Sequence, residues 1–104
     1  KPRALSLSYR QVKTEKGQAV LEIPDQPDLS LSEEFILIPV PADFYLMLNL
    51  TDISDPEIRR IPVDWRLRTR EVFQHYFSQG YRVVDFLKLE TSPPGCFYLL
   101  RKSP

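Results

Sequence analysis

Between Asp64 and Gln79 the apolar residues recur with a helical period. Trp65, Thr69, Val72, Phe73, Tyr76 and Phe77 fall at i, i+4, i+7, i+8, i+11 and i+12, on one stripe. Asp64 is a good N-cap and Gly80 sits where a left-handed C-cap would close the helix, so the main helix is predicted over 64–79. Phe73, in the middle of the stripe, is expected in the core. From Tyr81 the period drops to two. Tyr81, Val83 and Asp85 alternate with Arg82, Val84 and Phe86, a β-branched and aromatic pattern that predicts a strand over 81–90. Thr91-Ser-Pro-Pro-Gly95 reads as a turn and Cys96 to Lys102 as a last strand, hairpin-paired with the one before it.

The amino-terminal third alternates as well. Leu5, Leu7 and Tyr9 face one way and Ser6, Ser8 and Arg10 the other, while Ala19, Leu21 and Ile23 form the apolar face of a second strand. With a turn at Thr14–Gly17, residues 4–23 predict an antiparallel hairpin with one face toward the core. Pro24 to Ser30 is a polar loop punctuated by prolines, and Glu34 to Val40 is a continuous apolar strand of the kind buried on both faces. The run from Pro41 to Asn49 fits either a strand or a helical turn. Asp55-Pro56-Glu57 reads as the start of a short helix that Pro62 should end or kink. The fold class expected is α+β: a mostly antiparallel mixed sheet of about five strands with one dominant helix packed across it.

Composition narrows the classes of function. A chain of 104 residues with 42% hydrophobic residues fits one small domain over 1–104 with one core. Fourteen basic and fourteen acidic residues cancel, so no overall field favours nucleic acid or an acidic membrane. Cys96 is the single cysteine, which excludes an intrachain disulfide and a CxxC metal site. The longest apolar stretch, 35–50, holds two prolines, an aspartate and an asparagine, and falls short of the ~20 residues of a membrane helix. The amino terminus is polar and carries no secretory pattern, so a cytoplasmic location is expected. Ten prolines against three glycines leave little scope for a phosphate-cradling loop.

A resemblance enters at the helix–glycine–strand junction. Tyr76-Phe-Ser-Gln-Gly80-Tyr81 resembles the segment Y-x-x-x-G-F/Y at the end of the fourth helix of GNAT-type N-acetyltransferases. More closely, Trp65-Arg66-Leu67, Thr69-Arg70, Phe73, Phe77, Gly80-Tyr81, Val83 and Asp85-Phe86, followed by Tyr98-Leu99-Leu100, are similar to the carboxy-terminal part of one group of GNAT-superfamily acetyltransferases. Ile38-Pro39 and Pro41-Ala42-Asp43 resemble the EIPAD segment that precedes the helix in that group. The similarity covers residues 36–102 and does not reach 1–33. It implies a strand–helix–strand–strand unit over 34–104, acetyl-CoA or another acyl-CoA as cofactor of the complete domain, and Tyr76 as general acid near the coenzyme A sulfur. The family holds the coenzyme A pyrophosphate on backbone amides of an R/Q-x-x-G-x-G/A turn at a helix amino terminus. Gly17, Gly80 and Gly95 do not form that pattern, so no cofactor is expected to bind this chain alone.

Each candidate residue also has a plainer reading. Tyr76 lies on the apolar stripe and can pack there with its hydroxyl at the rim. His75, the single histidine, flanks the stripe without metal-ligand spacing to a carboxylate or cysteine, and reads as a solvated helix residue. Cys96 opens an apolar strand, where a free cysteine behaves as a small hydrophobe. Arg59, Arg60, Arg66, Arg68 and Arg70 suit oxyanion recognition, yet only Arg66 and Arg70 are helical neighbours, with Asp64, Glu71 and Glu57 at hand to pair with some of them. Two functions remain open. One is the carboxy-terminal part of an acyl-CoA-dependent N-acyltransferase, inactive alone, an expectation that a start at Lys1 fits. The other is a non-catalytic α+β protein-interaction or assembly module. In either case the expected partner is a second copy of the chain or the upstream half of a longer one.

Overall fold

The computed structural model describes residues 1–14, 17–41, 56–90 and 95–103. Strands β1 (Leu5–Thr14) and β2 (Gly17–Pro27) pair as an antiparallel hairpin, and β3 (Phe35–Val40) follows. A one-turn helix α1 (Pro56–Arg59) leads into α2 (Ile61–Ser78), which is succeeded by β4 (Tyr81–Leu89) and β5 (Gly95–Lys102). The fold is α+β with antiparallel strands and one dominant helix. Its strands divide between two sheets, β1-β2 and β3-β5-β4. Where they meet, Pro2–Ala4 run along the outer edge of β3 with bonds from Ala4 N–H to Leu37 O and from Leu37 N–H to Pro2 O, both 2.9 Å. Pro2 has no N–H to extend that ladder, so the contact stays a single bridge and does not fuse the sheets. The strand-or-turn alternative for 41–49 beyond Pro41, the cap at Asp55 and the turn at 91–94 lie outside the described residues.

Helix α2 starts one turn earlier than the stripe suggests. Pro62 opens the helix instead of stopping it, because in the first turn its missing N–H has no intrahelical acceptor to lose. Asp64 is therefore not the cap. Its N–H already bonds Arg60 O at 2.8 Å, and its carboxylate sits in the first turn, where it complements the helix dipole. The first half of α2 packs Ile61 and Trp65 with Ile58 against Leu5 and Leu21 of the hairpin. Its second half packs Val72 and Tyr76 against Ala4, Ile36, Ile38, Tyr81 and Leu100. A third cluster, Leu37, Phe97 and Leu99, lies on the opposite face of the three-stranded sheet. One helix thus joins both sheets.

Two irregularities re-aim side chains. A register shift between Leu5 and Leu7 sets two residues of β2, Asp25 and Gln26, across from Ser6 alone, so the extra residue is in β2 and Ser8 pairs with Ile23 and Arg10 with Leu21. Directly opposed residues point to the same side. The apolar face of β2 therefore lies across from polar positions of β1, and Tyr9 is 44% exposed instead of buried with Leu5. A second shift, between Val83 and Asp85, makes Val84 the extra residue of β4. Phe73 is partly buried, turned to the flank of the core against Phe77 and Tyr98.

At the end of α2, Gly80 takes a φ of +90°, with its N–H on Phe77 O at 3.2 Å. A Cβ there would touch nothing within 4 Å, so the glycine is required by its backbone alone. Gly80→Ala is expected to lower stability by about 1–2 kcal/mol in urea melts, and Gly80→Asn by less, since asparagine tolerates left-handed backbone. Equal melts for all three chains would mean that the turn relaxes. Gly95 is the reverse case. Its Cβ would lie 2.8 Å from the Phe97 ring, so there the constraint is space.

Candidate functional site

The residues of the Tyr76–Gly80–Tyr81 junction come together in space. The turn at Gly80 carries the chain from α2 straight into β4, and the two tyrosine rings meet edge to face at 5.2 Å, 86° apart. Both rings are buried, and both hydroxyls reach the segment that follows β2. Tyr76 O–H donates to Asp28 O, and its oxygen accepts the Leu31 N–H at 3.2 Å. Tyr81 O–H donates to Glu33 O. The segment is preformed by Asp28, whose carboxylate accepts the Ser30 N–H at 3.0 Å and the Ser30 hydroxyl. Those bonds hold the Asp28 carboxyl below its ordinary pKa, the hydroxyl bond contributing most. Burial raises the pKa of Tyr76, reinforced by the charges of Asp28, Tyr81 and Glu33 and opposed by the Leu31 amide. Burial likewise raises that of Tyr81, with Glu33 adding to it.

This arrangement gives the Tyr76 hydroxyl a definite occupation. Its proton lies on a backbone carbonyl and one lone pair on a backbone amide, so the group ties residues 28–31 to the helix. To act as general acid it must first exchange the Asp28 carbonyl for the reacting atom. Sequence reasoning missed the partners because they are backbone groups more than forty positions away. The one available signal was Asp28-Leu-Ser30, a side-chain-to-backbone turn pattern.

The other candidates stand apart from this junction. The His75 ring packs edge-on to Tyr76 at 4.8 Å. Cys96 is partly buried on β5 and is flanked in register by Val40 and Lys88. Arg68 crosses to β2 and donates to Gln26 Oε1 at 3.0 Å, while Arg59, Arg60, Arg66 and Arg70 are exposed and make no ion pair among the described residues. No group of three or more metal-ligating side chains occurs among the described residues. None of their helices is long and apolar enough to cross a membrane.

None of the three glycines lies in the first turn of a helix. Gly17 lies at the hairpin turn, Gly80 at a helix carboxy terminus and Gly95 at the start of a strand. The amino terminus of α2 offers Pro62, which has no N–H, beside the buried Ile61.

A further feature is a row of aromatic rings across the helix-facing side of the sheet. Phe77 lies 5.4 Å from Phe73, Phe73 5.7 Å from Tyr98, and Tyr98 5.1 Å from Phe86. Both ends of the row, Phe77 and Phe86, are 50% exposed. Comparison of the chain with family models, with curated proteins and with solved structures found no match in any of the three.

Proposed function

We propose that the chain is the carboxy-terminal part of a GNAT-like, acyl-CoA-dependent N-acyltransferase scaffold, inactive by itself and completed by a part that holds the cofactor. The observation that carries this reading is the junction itself. The motif residues Tyr76, Gly80 and Tyr81 are joined by a left-handed glycine and an edge-to-face ring pair, within a strand, helix, strand, strand succession. Tyr76 is the group that would deliver a proton in the completed enzyme, once residues 28–31 release its hydroxyl.

Calorimetric titration tests the first half of this reading. Acetyl-CoA added to the 104-residue chain is expected to give no binding heat, because the described residues offer no amide cradle for the pyrophosphate. The same chain joined to an amino-terminal half bearing the glycine turn should bind it. A micromolar complex with the chain alone, or none with the joined protein, would overturn the proposal.

The exposure of β4 favours a second reading, a non-catalytic interaction or assembly module that meets a second copy or an upstream half. Among the described residues β4 pairs only with β5, and its Val83, Val84 and Phe86 are between 42% and 50% exposed. Its edge away from β5 is guarded by the extra residue Val84 and by Arg82, Asp85 and Lys88, features that oppose strand addition. Contact in this reading therefore runs through side chains, not through the backbone of the edge.

A further inference from the structure

The aromatic row and the charges around it make one surface. On α2, Arg66, Arg70, Phe73 and Phe77 follow one another at i, i+4, i+7 and i+11, a single stripe on the flank of the helix beside its buried face. On β4, Phe86 opposes Tyr98 and Lys88 opposes Cys96, so Phe86 and Lys88 project from the same side of the sheet, toward that flank. Arg66, Arg70 and Lys88 are exposed, and none makes an ion pair among the described residues.

The described carboxylates of α2 and β4 lie off this surface. Glu71 is one residue beyond Arg70, about 100° round the helix. Asp85 falls on the other face of the sheet, where its side chain accepts the Phe86 N–H at 2.8 Å. Glu90 comes only after the last residue of β4. In a chain of zero net charge, an aromatic strip bordered by three cations, with no carboxylate of the described parts of α2 or β4 facing it, is a local imbalance. Aromatic rings half open to water at both ends are the kind of surface on which protein contacts are built.

We propose that this surface binds an acidic segment of another protein, which sets a leucine or aromatic side chain between Phe77 and Phe86 and its carboxylates on Arg66, Arg70 and Lys88. Apolar contact with the rings supplies the anchoring, and the cations select sequence and register through charge complementarity. A second copy of this chain is a poorer occupant, since the same surface facing itself would bring cation against cation. The inference holds whether or not the chain contributes to acyl transfer.

The test uses the full chain and a short fluorescein-labelled peptide in which leucine and phenylalanine are spaced among aspartates. A second peptide with lysine in place of each aspartate serves as control. The acidic peptide is expected to bind saturably, with amide shifts in an isotope-labelled chain concentrated at Phe73, Phe77, Phe86 and Lys88. Reversing the rim with Arg66→Glu and Arg70→Glu should weaken binding by about tenfold or more, and raised salt should weaken it as well. Both positions are exposed, so the variant keeps its fold. Arg59→Glu, on α1, should bind as the parent does. Equal binding of the lysine peptide, indifference to the reversal, or shifts confined to another surface would each overturn the proposal. So would sedimentation showing that the chain dimerises through this surface and loses the dimer on Phe86→Ser.

Discussion

Trp65→Ala is expected to be among the most destabilising single substitutions in the chain. The indole is 3% exposed, wedged between the hairpin and the first turns of α2, and its Nε1–H donates to Glu22 O at 2.9 Å. Truncation removes a large buried ring and leaves a cavity that the rigid hairpin cannot fill, at a cost of about 3–5 kcal/mol. Losing the indole hydrogen bond adds to this. Small domains hold roughly 5–15 kcal/mol in total, so the variant should be partly unfolded at moderate temperature. Trp65→Phe separates the two contributions, since it keeps most of the burial and loses about 1 kcal/mol for the bond. Denaturant melts in which Trp65→Ala matches the parent would mean that the hairpin does not dock on α2.

Tyr76→Ala should cost about the same 3–5 kcal/mol, because its fully buried ring is central to the cluster beneath the three-stranded sheet. Tyr76→Phe is the more informative change. It preserves the ring and releases the Asp28 carbonyl and the Leu31 amide, which should cost about 1–3 kcal/mol and speed hydrogen exchange at Leu31. The pH dependence follows from the raised pKa of Tyr76 and Tyr81. A phenol whose folded pKa lies above its unfolded value adds stability that is fully present below the unfolded value, near 10, and is lost as pH rises through the folded one. Alkaline unfolding should therefore set in above about pH 10 and be less steep in Tyr76→Phe, which has one such group fewer. Identical alkaline profiles for the two chains would show that Tyr76 titrates as freely folded as unfolded.

The succession β3, α2, β4, β5 was legible because each segment shows one clear period and Gly80 marks the change between two of them. The same holds for the hairpin as an element. What the pattern hid was local register. A single extra residue in β2, between Pro24 and Pro27, changes the partners of β1, so Tyr9 opposes Glu22 and follows Leu5 and Leu7 in alternation but not in burial. Nothing in Leu-Ser-Leu-Ser announces that shift. The start of α2 was hidden by Pro62, which has opposite meanings in the first turn and in the body of a helix. The division into two sheets depends on where Pro2–Ala4 leave β3, a long-range event without a local signature. At the junction, the tyrosines were legible as a motif, while the carbonyls that receive their protons were not.

The division of the core also distributes the chromophores. Trp65 is the single tryptophan and sits in the cluster under the hairpin, whereas Tyr76 and Tyr81 sit in the cluster under the three-stranded sheet and Tyr98 packs against it. Indole emission therefore reports on one core and the near-ultraviolet dichroism of the buried tyrosines on the other, with α2 the mechanical link between them. The protein carries its own pair of spectroscopic reporters. Where their transitions coincide, the helix couples the two sheets into one cooperative unit. Where they separate, the gap measures how much of the stability of the hairpin is borrowed from a few turns of helix.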